Sequence, residues 1–263
     1  MNKKKIKNTF LDFLSSYIHI SDNIYIETDL INFKSIFNRF DNIDEFCNFF
    51  YSIFRELVGN KGNIIFPTFS YSWGKSSDYK YYDSLKSNIK TGLFPNYLFK
   101  NKKVFRNNDP NFSFGIIGNS EKFFDKNLRY SFGKNSVFEK IIETKTKIVH
   151  FGPKKFDPTI VHFAENFFND NFCELKYRFQ KKFNGKTVIN KKLIRSYFHA
   201  FVRKNNNLTF NESNLKHDLI KKNLLFSKNI FGGDIYICHS NDIFLQCLEG
   251  LMGDNNYLVK TID

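Results

Sequence analysis

DNIYIETDLINF (22–33) and GNIIFPTF (62–69) frame the stretch that decides the fold. In the first, Ile24 and Ile26 stand two apart, the period of a strand, and a helix start follows. The second is a short apolar run halted by Pro67. Between them NIDEFCNFFYSIFRELVG carries apolar residues at helical spacing and ends at Gly59. Strand, helix, strand in that order is the grammar of an α/β domain.

Working outward, Phe10, Phe13, Leu14 and Tyr17 give the N-terminal segment helical spacing. SFGIIG (113–118) and KIVHFG (147–152) read as further buried strands, each ended by glycine, with a helix expected from about Thr159. KLIRSYFHAFVR (192–203) reads as a helix and GGDIYICHS (232–240) as a strand. No fixed-period repeat and no Gly/Ser- or Pro-rich linker divides the chain, so residues 1–263 are expected to form a single domain. Residues 70–92 are polar, aromatic and irregular and read as a surface excursion; loops of that length are more often functional than not.

The composition excludes several classes. No apolar run reaches the roughly 20 residues of a membrane span, and Asp12 interrupts the apolar part of the basic N-terminus, against a signal peptide. A cytoplasmic protein is the simpler expectation. Cys47, Cys173, Cys238 and Cys247 lie far apart, which predicts free thiols rather than a zinc site or disulfide framework. The six histidines show no ligand spacing, so no metal is expected. The net charge of +14 has two readings. One is an anionic partner. The other is a Lys-, Asn-, Phe- and Ile-rich composition that scatters lysines over the surface. A basic nucleic-acid-binding protein is a competing class, but the 34 phenylalanines fall mainly in apolar periodic segments, where they read as core, and no nucleic acid is expected.

FDPTIVHFAEN (156–166) places His162 and Glu165 three residues apart at the start of the expected helix, on one face and within reach of each other. Thr159 is a plausible N-cap after Asp157-Pro158. A carboxylate that fixes the tautomer of a histidine makes a base with its orienter. A core histidine beside a surface acid has the same spacing.

A set of segments in order resembles the aminoglycoside 3-N-acetyltransferase family. They are FPTFSYSW (66–73), YDSLKSNIKTGLF (82–94), FRNNDPNFSFGIIG (105–118), YSFGKNSVFEKI (130–141), KIVHFG and TIVHFAE (159–165). The resemblance implies an α/β fold with helices around a mixed central sheet, acetyl-coenzyme A as donor, a small-molecule amine as acceptor, and His162 and Glu165 as the catalytic pair. Two places depart from the resistance enzymes. Their Arg-Ser-x-His-Pro run is Arg106-Asn107-Asn108-Asp109-Pro110 here, and their Val-His strand end reads Ile26-Glu27-Thr28-Asp29. The Asp-Pro version looks more like members associated with amino-sugar acylation in surface-polysaccharide pathways.

Acetyl transfer to an amine requires a base for the ammonium proton and donors for the developing oxyanion. Thr68, Ser70, Asn107, Asn108 and Ser113 are expected to serve the donor cosubstrate, with turn chemistry as the alternative for each. Trp73, Tyr82, Asp83 and Asp109 are expected at the acceptor, where half-buried loop aromatics are the competing explanation. The excursion carries Lys75, Lys80, Lys86 and Lys90 against Asp78 and Asp83, a bias that favours an anionic nucleotide sugar over a polycationic aminoglycoside.

Overall fold

A computed structural model describes residues 1–74, 80–119, 129–204 and 207–262. Lys75, Asp78 and Tyr79, from the expected acceptor excursion, lie outside the described residues.

Helix α1 (Lys3–Leu14) precedes β1 (Asn23–Thr28), a short 3-10 turn, α2 (Lys34–Phe37), α3 (Ile43–Val58) and β2 (Asn63–Pro67). The middle of the chain holds β3 (Tyr81–Tyr82), α4 (Leu93–Asn101), β4 (Phe105–Arg106), β5 (Phe114–Ile117), α5 (Val137–Glu143), β6 (Lys147–Gly152) and α6 (Val161–Asn171). There follow β7 (Arg178–Ile189), β8 (Lys192–Arg203), β9 (Leu208–Phe210), α7 (Glu212–Lys221), β10 (Phe226–Ile230), β11 (Gly233–His239), α8 (Ser240–Gly253) and β12 (Val259–Thr261).

A seven-stranded mixed sheet in the order β10-β11-β6-β1-β2-β5-β4 forms the centre. Strand β1 runs parallel to β2 on one side and to β6 on the other; the remaining pairings are antiparallel. The chain leaves β1 toward β2 and returns later on the opposite side as β6. The carboxyl end of β1 is therefore a topological switch point, the place where open α/β sheets bind ligands.

Helix α3 forms where the sequence predicts. The Asn42 side chain accepts the Glu45 N–H, Asp44 and Glu45 complement the helix N-terminus, and Gly59 ends it at φ +61°. Its buried face sets Phe50 and Phe54 ring to ring against Phe151, with Phe33 and Phe46 packed on Phe50. The opposite sheet face buries Tyr25, Ile65, Phe114 and Ile148 beneath α5, α6 and α8. Each fully buried aromatic removes enough apolar surface to contribute about 1.5–3 kcal/mol.

One element differs from expectation. Residues 192–203 are strand β8, paired residue for residue with β7 through a two-residue turn at Asn190 and Lys191, both at positive φ. That backbone is the type I′ hairpin turn, usually announced by Asn-Gly. Lysine in the second position conceals the turn, and the apolar positions of 192–203 then fit a helix as well as a strand. The β7–β8 hairpin, with β3, makes a second sheet of three strands.

Candidate active site

Gly152 closes β6 at φ +100°, and a Cβ there would stand 2.3 Å from the Asp29 carbonyl oxygen. Glycine alone lets the chain cross the end of β1 this closely. The next residues carry the chain over the sheet edge to α6. The expected N-cap role of Thr159 is corrected: Ile160 occupies that position without a side-chain cap. Thr159 instead donates its N–H, at 3.3 Å from each carboxylate oxygen, and its hydroxyl to Glu27 of β1. A carboxylate at the start of α6 suits the positive end of the helix, and here a neighbouring strand supplies it.

His162 and Glu165 meet as their spacing predicts, with His162 Nδ1 2.9 Å from Glu165 Oε2. Arg178, at the start of β7, completes the group: its Nε lies 2.7 Å from the same carboxylate oxygen, and its terminal nitrogen 2.9 Å from His162 Nδ1. Nδ1 donates to Glu165 in one tautomer and accepts from Arg178 in the other; a ring acting as a base through Nε2 uses the first. Glu165 and Arg178 side chains are 1% and 6% exposed, whereas His162 keeps 26% of its side chain open. His162 reaches solvent; Glu165 does not.

Burial, followed by Arg178, lowers the His162 pKa below the ordinary histidine value, against the opposing pull of Glu165. Burial alone would raise the Glu165 carboxyl, but Arg178 and His162 together outweigh it and hold the group below the usual carboxylate range. The arrangement therefore keeps a neutral imidazole beside a permanent carboxylate, the ground state a general base requires.

A second polar cluster lies at the start of α6. Glu27 and His150 are register partners on β1 and β6, and His150 Nε2 stands 2.6 Å from Glu27 Oε2. The Tyr25 hydroxyl donates to the other oxygen at 3.1 Å. Burial would raise the Glu27 pKa; His150 and the Thr159 hydrogen bonds together lower it. Glu27 stands where the resembling enzymes carry a histidine.

An aromatic line leads away from the base. The Phe132 ring meets His162 edge-on at 5.3 Å, Phe112 lies 4.7 Å from Phe132, and Tyr71 lies 5.5 Å from Phe112. Tyr71 holds φ at +51°, a conformation that costs a non-glycine residue about 1–2 kcal/mol, and it is 40% exposed. Burial, and after it the Glu27 carboxylate, push its phenol pKa up.

The other expected site residues are placed elsewhere. The Thr68 hydroxyl donates to Ser113 Oγ, Ser113 to the Thr68 carbonyl, and Ser70 to the Pro110 carbonyl. The Asn107 side chain accepts the Phe114 N–H. Arg106, 5% exposed, is the hub, donating to Thr68, Ser113 and the Ser87 carbonyl. Asn108 is exposed and lines a separate cavity of about 310 Å³. Trp73 and Tyr82 are fully buried, and the Tyr82 hydroxyl donates to the Asn107 carbonyl. Asp83 accepts the Leu85 N–H, and Asp109 the N–H groups of Asn111 and Phe112. These residues brace the two loops; none is brought into contact with His162.

At the switch point, on the α3 side, a groove of about 500 Å³ runs between Thr28–Ile31, Phe37 and Ile43, and the start of α4 at Gly92–Leu93. Ile31, Ile43 and Leu93 remain exposed around it. Among the described residues no group of three His, Cys, Asp or Glu converges to hold a metal, and no helix is long and apolar enough to cross a membrane.

An open α/β sheet, a histidine held by a buried Glu–Arg pair and an apolar groove at the switch point accompany the fold of the non-GNAT N-acetyltransferases. The chain belongs to the aminoglycoside 3-N-acetyltransferase family, whose model matches residues 34–252. Similar solved structures include AAC-IIIb as a binary complex with CoASH, at 14% identity and TM-score 0.76, covering 96% of this chain and 97% of that one. YokD from Bacillus subtilis aligns at 12% identity and TM-score 0.74, covering 97% and 94%. AAC-VIa bound to sisomicin aligns at 13% and 0.72, covering 96% and 98%. No protein of curated function matches the chain.

Proposed function

We propose that the protein is an acetyl-coenzyme A-dependent N-acetyltransferase whose acceptor is a nucleotide-linked amino sugar of surface-glycan biosynthesis, with His162 as general base. The observation that carries this reading is the charge around the base. Glu165, the carboxylate that touches His162, is neutralised by Arg178, and Arg203 lies directly across the strand pair from Arg178. The pair leaves little net negative charge at His162 to draw a polycation, and Arg203 adds a positive one that favours an anion.

Acetyl-coenzyme A supplies the acetyl group as a thioester, and the apolar groove at the end of β1 fits its flexible arm. Leu30, Ile31, Phe37 and Leu93 would line the arm, and Gly92, with open space where a Cβ would stand, leaves room beside it. His162 Nε2 takes the ammonium proton so that the nitrogen lone pair can attack the thioester carbonyl; the C–S bond then breaks, and the coenzyme A thiolate leaves and takes up the proton from the imidazolium. Glu165 holds the ring and stabilises the imidazolium that results. The Tyr71–Phe112–Phe132 line offers faces for a sugar ring to pack on.

A second reading, an aminoglycoside acceptor, is favoured by the relative bound to sisomicin. Steady-state kinetics with kanamycin-like amines and with nucleotide amino sugars separate the two. A higher kcat/KM for the nucleotide sugars is expected, and the reverse order would overturn the acceptor assignment. Turnover by His162→Ala tests the base: near wild-type rates between about pH 6 and 9 would exclude it.

A further inference from the structure

Side chains on a strand repeat every two residues, so Arg178, Lys182, Asn184 and Lys186 share one face of β7. Their partners His199, Tyr197 and Arg195 on β8 share it too. The face that touches His162 at Arg178 thus continues outward along the hairpin and becomes exposed from Gln180 onward.

Along it the charges are of one sign. Lys186 and Arg195 are directly opposed across the strand pair, an arrangement that destabilises a sheet when nothing neutralises it. They line a cavity of about 510 Å³ with Lys80, Asn184 and Tyr197, and among the described residues no carboxylate contributes to the lining. Among the described residues none of the three cations makes a salt bridge. Lys182 lies 4.5 Å over the Tyr197 ring and Arg129 5.3 Å over it, and Tyr130 stacks on His199 at 5.1 Å. Scattered exposed lysines need no explanation, but opposed cations at a concave, aromatic-floored site need a counter-charge.

We propose that this face binds a nucleoside diphosphate, with its phosphates among Lys182, Lys186 and Arg195 and its base against the Tyr197 and Tyr130 rings. Aromatic faces beside a positive groove are how proteins hold nucleotides without reading their sequence. The assignment rests on the nucleotide-linked acceptor proposed above. Coenzyme A also ends in a nucleoside diphosphate, so the test must tell donor from acceptor.

The experiment uses calorimetry with UDP, dTDP, GDP and CDP, and inhibition kinetics with the tightest of them. Wild-type protein and Lys186→Ser/Arg195→Ser, two exposed strand positions, are compared. The expected result is binding by wild type that weakens about tenfold or more in the variant. Inhibition should be competitive with the acceptor and not with acetyl-coenzyme A, and the variant's kcat on free glucosamine should be unchanged. Binding that the variant retains in full, or no binding of any of the four, would overturn the site. Competition with acetyl-coenzyme A would overturn its assignment to the acceptor, and so would displacement by a short RNA but not by a nucleotide sugar. The binding arm judges the site even if no nucleotide sugar is a substrate, so the two failures are distinguishable.

Discussion

Glu165→Gln keeps the shape of the orienting side chain and removes its charge. At an effective dielectric of about 20, charges 2.7 Å apart attract by about 6 kcal/mol before desolvation is counted. Removing one member of a buried pair typically costs about 3–5 kcal/mol, because the other is left unpaired. Arg178 keeps a contact to the Phe201 carbonyl at 3.3 Å, so the lower end, about 3 kcal/mol, is expected. In a domain of this size that lowers Tm by about 6–12 °C. Activity should fall further than stability implies, by about 10²–10⁴ in kcat, because the imidazolium loses its counter-charge. The informative control is Glu165→Gln/Arg178→Met, which no longer buries a lone cation and should recover most of the lost Tm by calorimetry. Its kcat should stay low. A double variant that regained activity along with stability would refute the orienting role and leave Glu165 a folding residue only.

Two further outcomes follow from the same geometry. Burial and Arg178 disfavour the imidazolium, so the acid limb of kcat/KM should lie below the ordinary histidine range, activity being lost as falling pH protonates His162. Arg178→Met removes one of the three depressing causes, burial and Arg203 being the others, and should move that limb to higher pH; a limb that stays put in a pH–rate profile would contradict this. Separately, a Cβ at Gly185 would stand 2.4 Å from Trp73 Cε2 and 2.8 Å from the Lys80 carbonyl oxygen. Gly185→Ala should therefore cost about 1–3 kcal/mol, read in a denaturant titration from the emission of the single tryptophan.

Much of this was legible in the chain. The β1–α3–β2 unit follows from periodicity and the Gly59 stop, and His162 with Glu165 from one-turn spacing, because both depend on residues close in sequence. Arg178 was not legible. It lies 13 positions beyond Glu165 in a run of basic residues, KYRFQKK, and only the pairing of β7 with β8 brings its side chain back to α6. Glu27 and His150 meet through the register of two parallel strands 123 positions apart; the one signal was the glutamate where the resembling enzymes have histidine. Tyr71, two residues before Trp73, carries no sequence signal of its position, since a left-handed backbone leaves no mark in a sequence without glycine or asparagine. The residues expected to bind the cosubstrate were read as free because they are small and polar. A buried arginine, Arg106, bonds two of them, Thr68 and Ser113.

The bond from Thr159 to Glu27 joins segments 132 positions apart. It can form only after β6 has added to β1, a late event where distant strands must find each other. Helix α6 has no side-chain cap of its own, so until that moment its first turn, which carries His162, is held by core packing alone. A chain emerging from the ribosome can hold most of its hydrophobic core while its histidine still has no fixed direction. Catalytic competence is then one of the last properties the molecule acquires, and among the first a mild denaturant should remove.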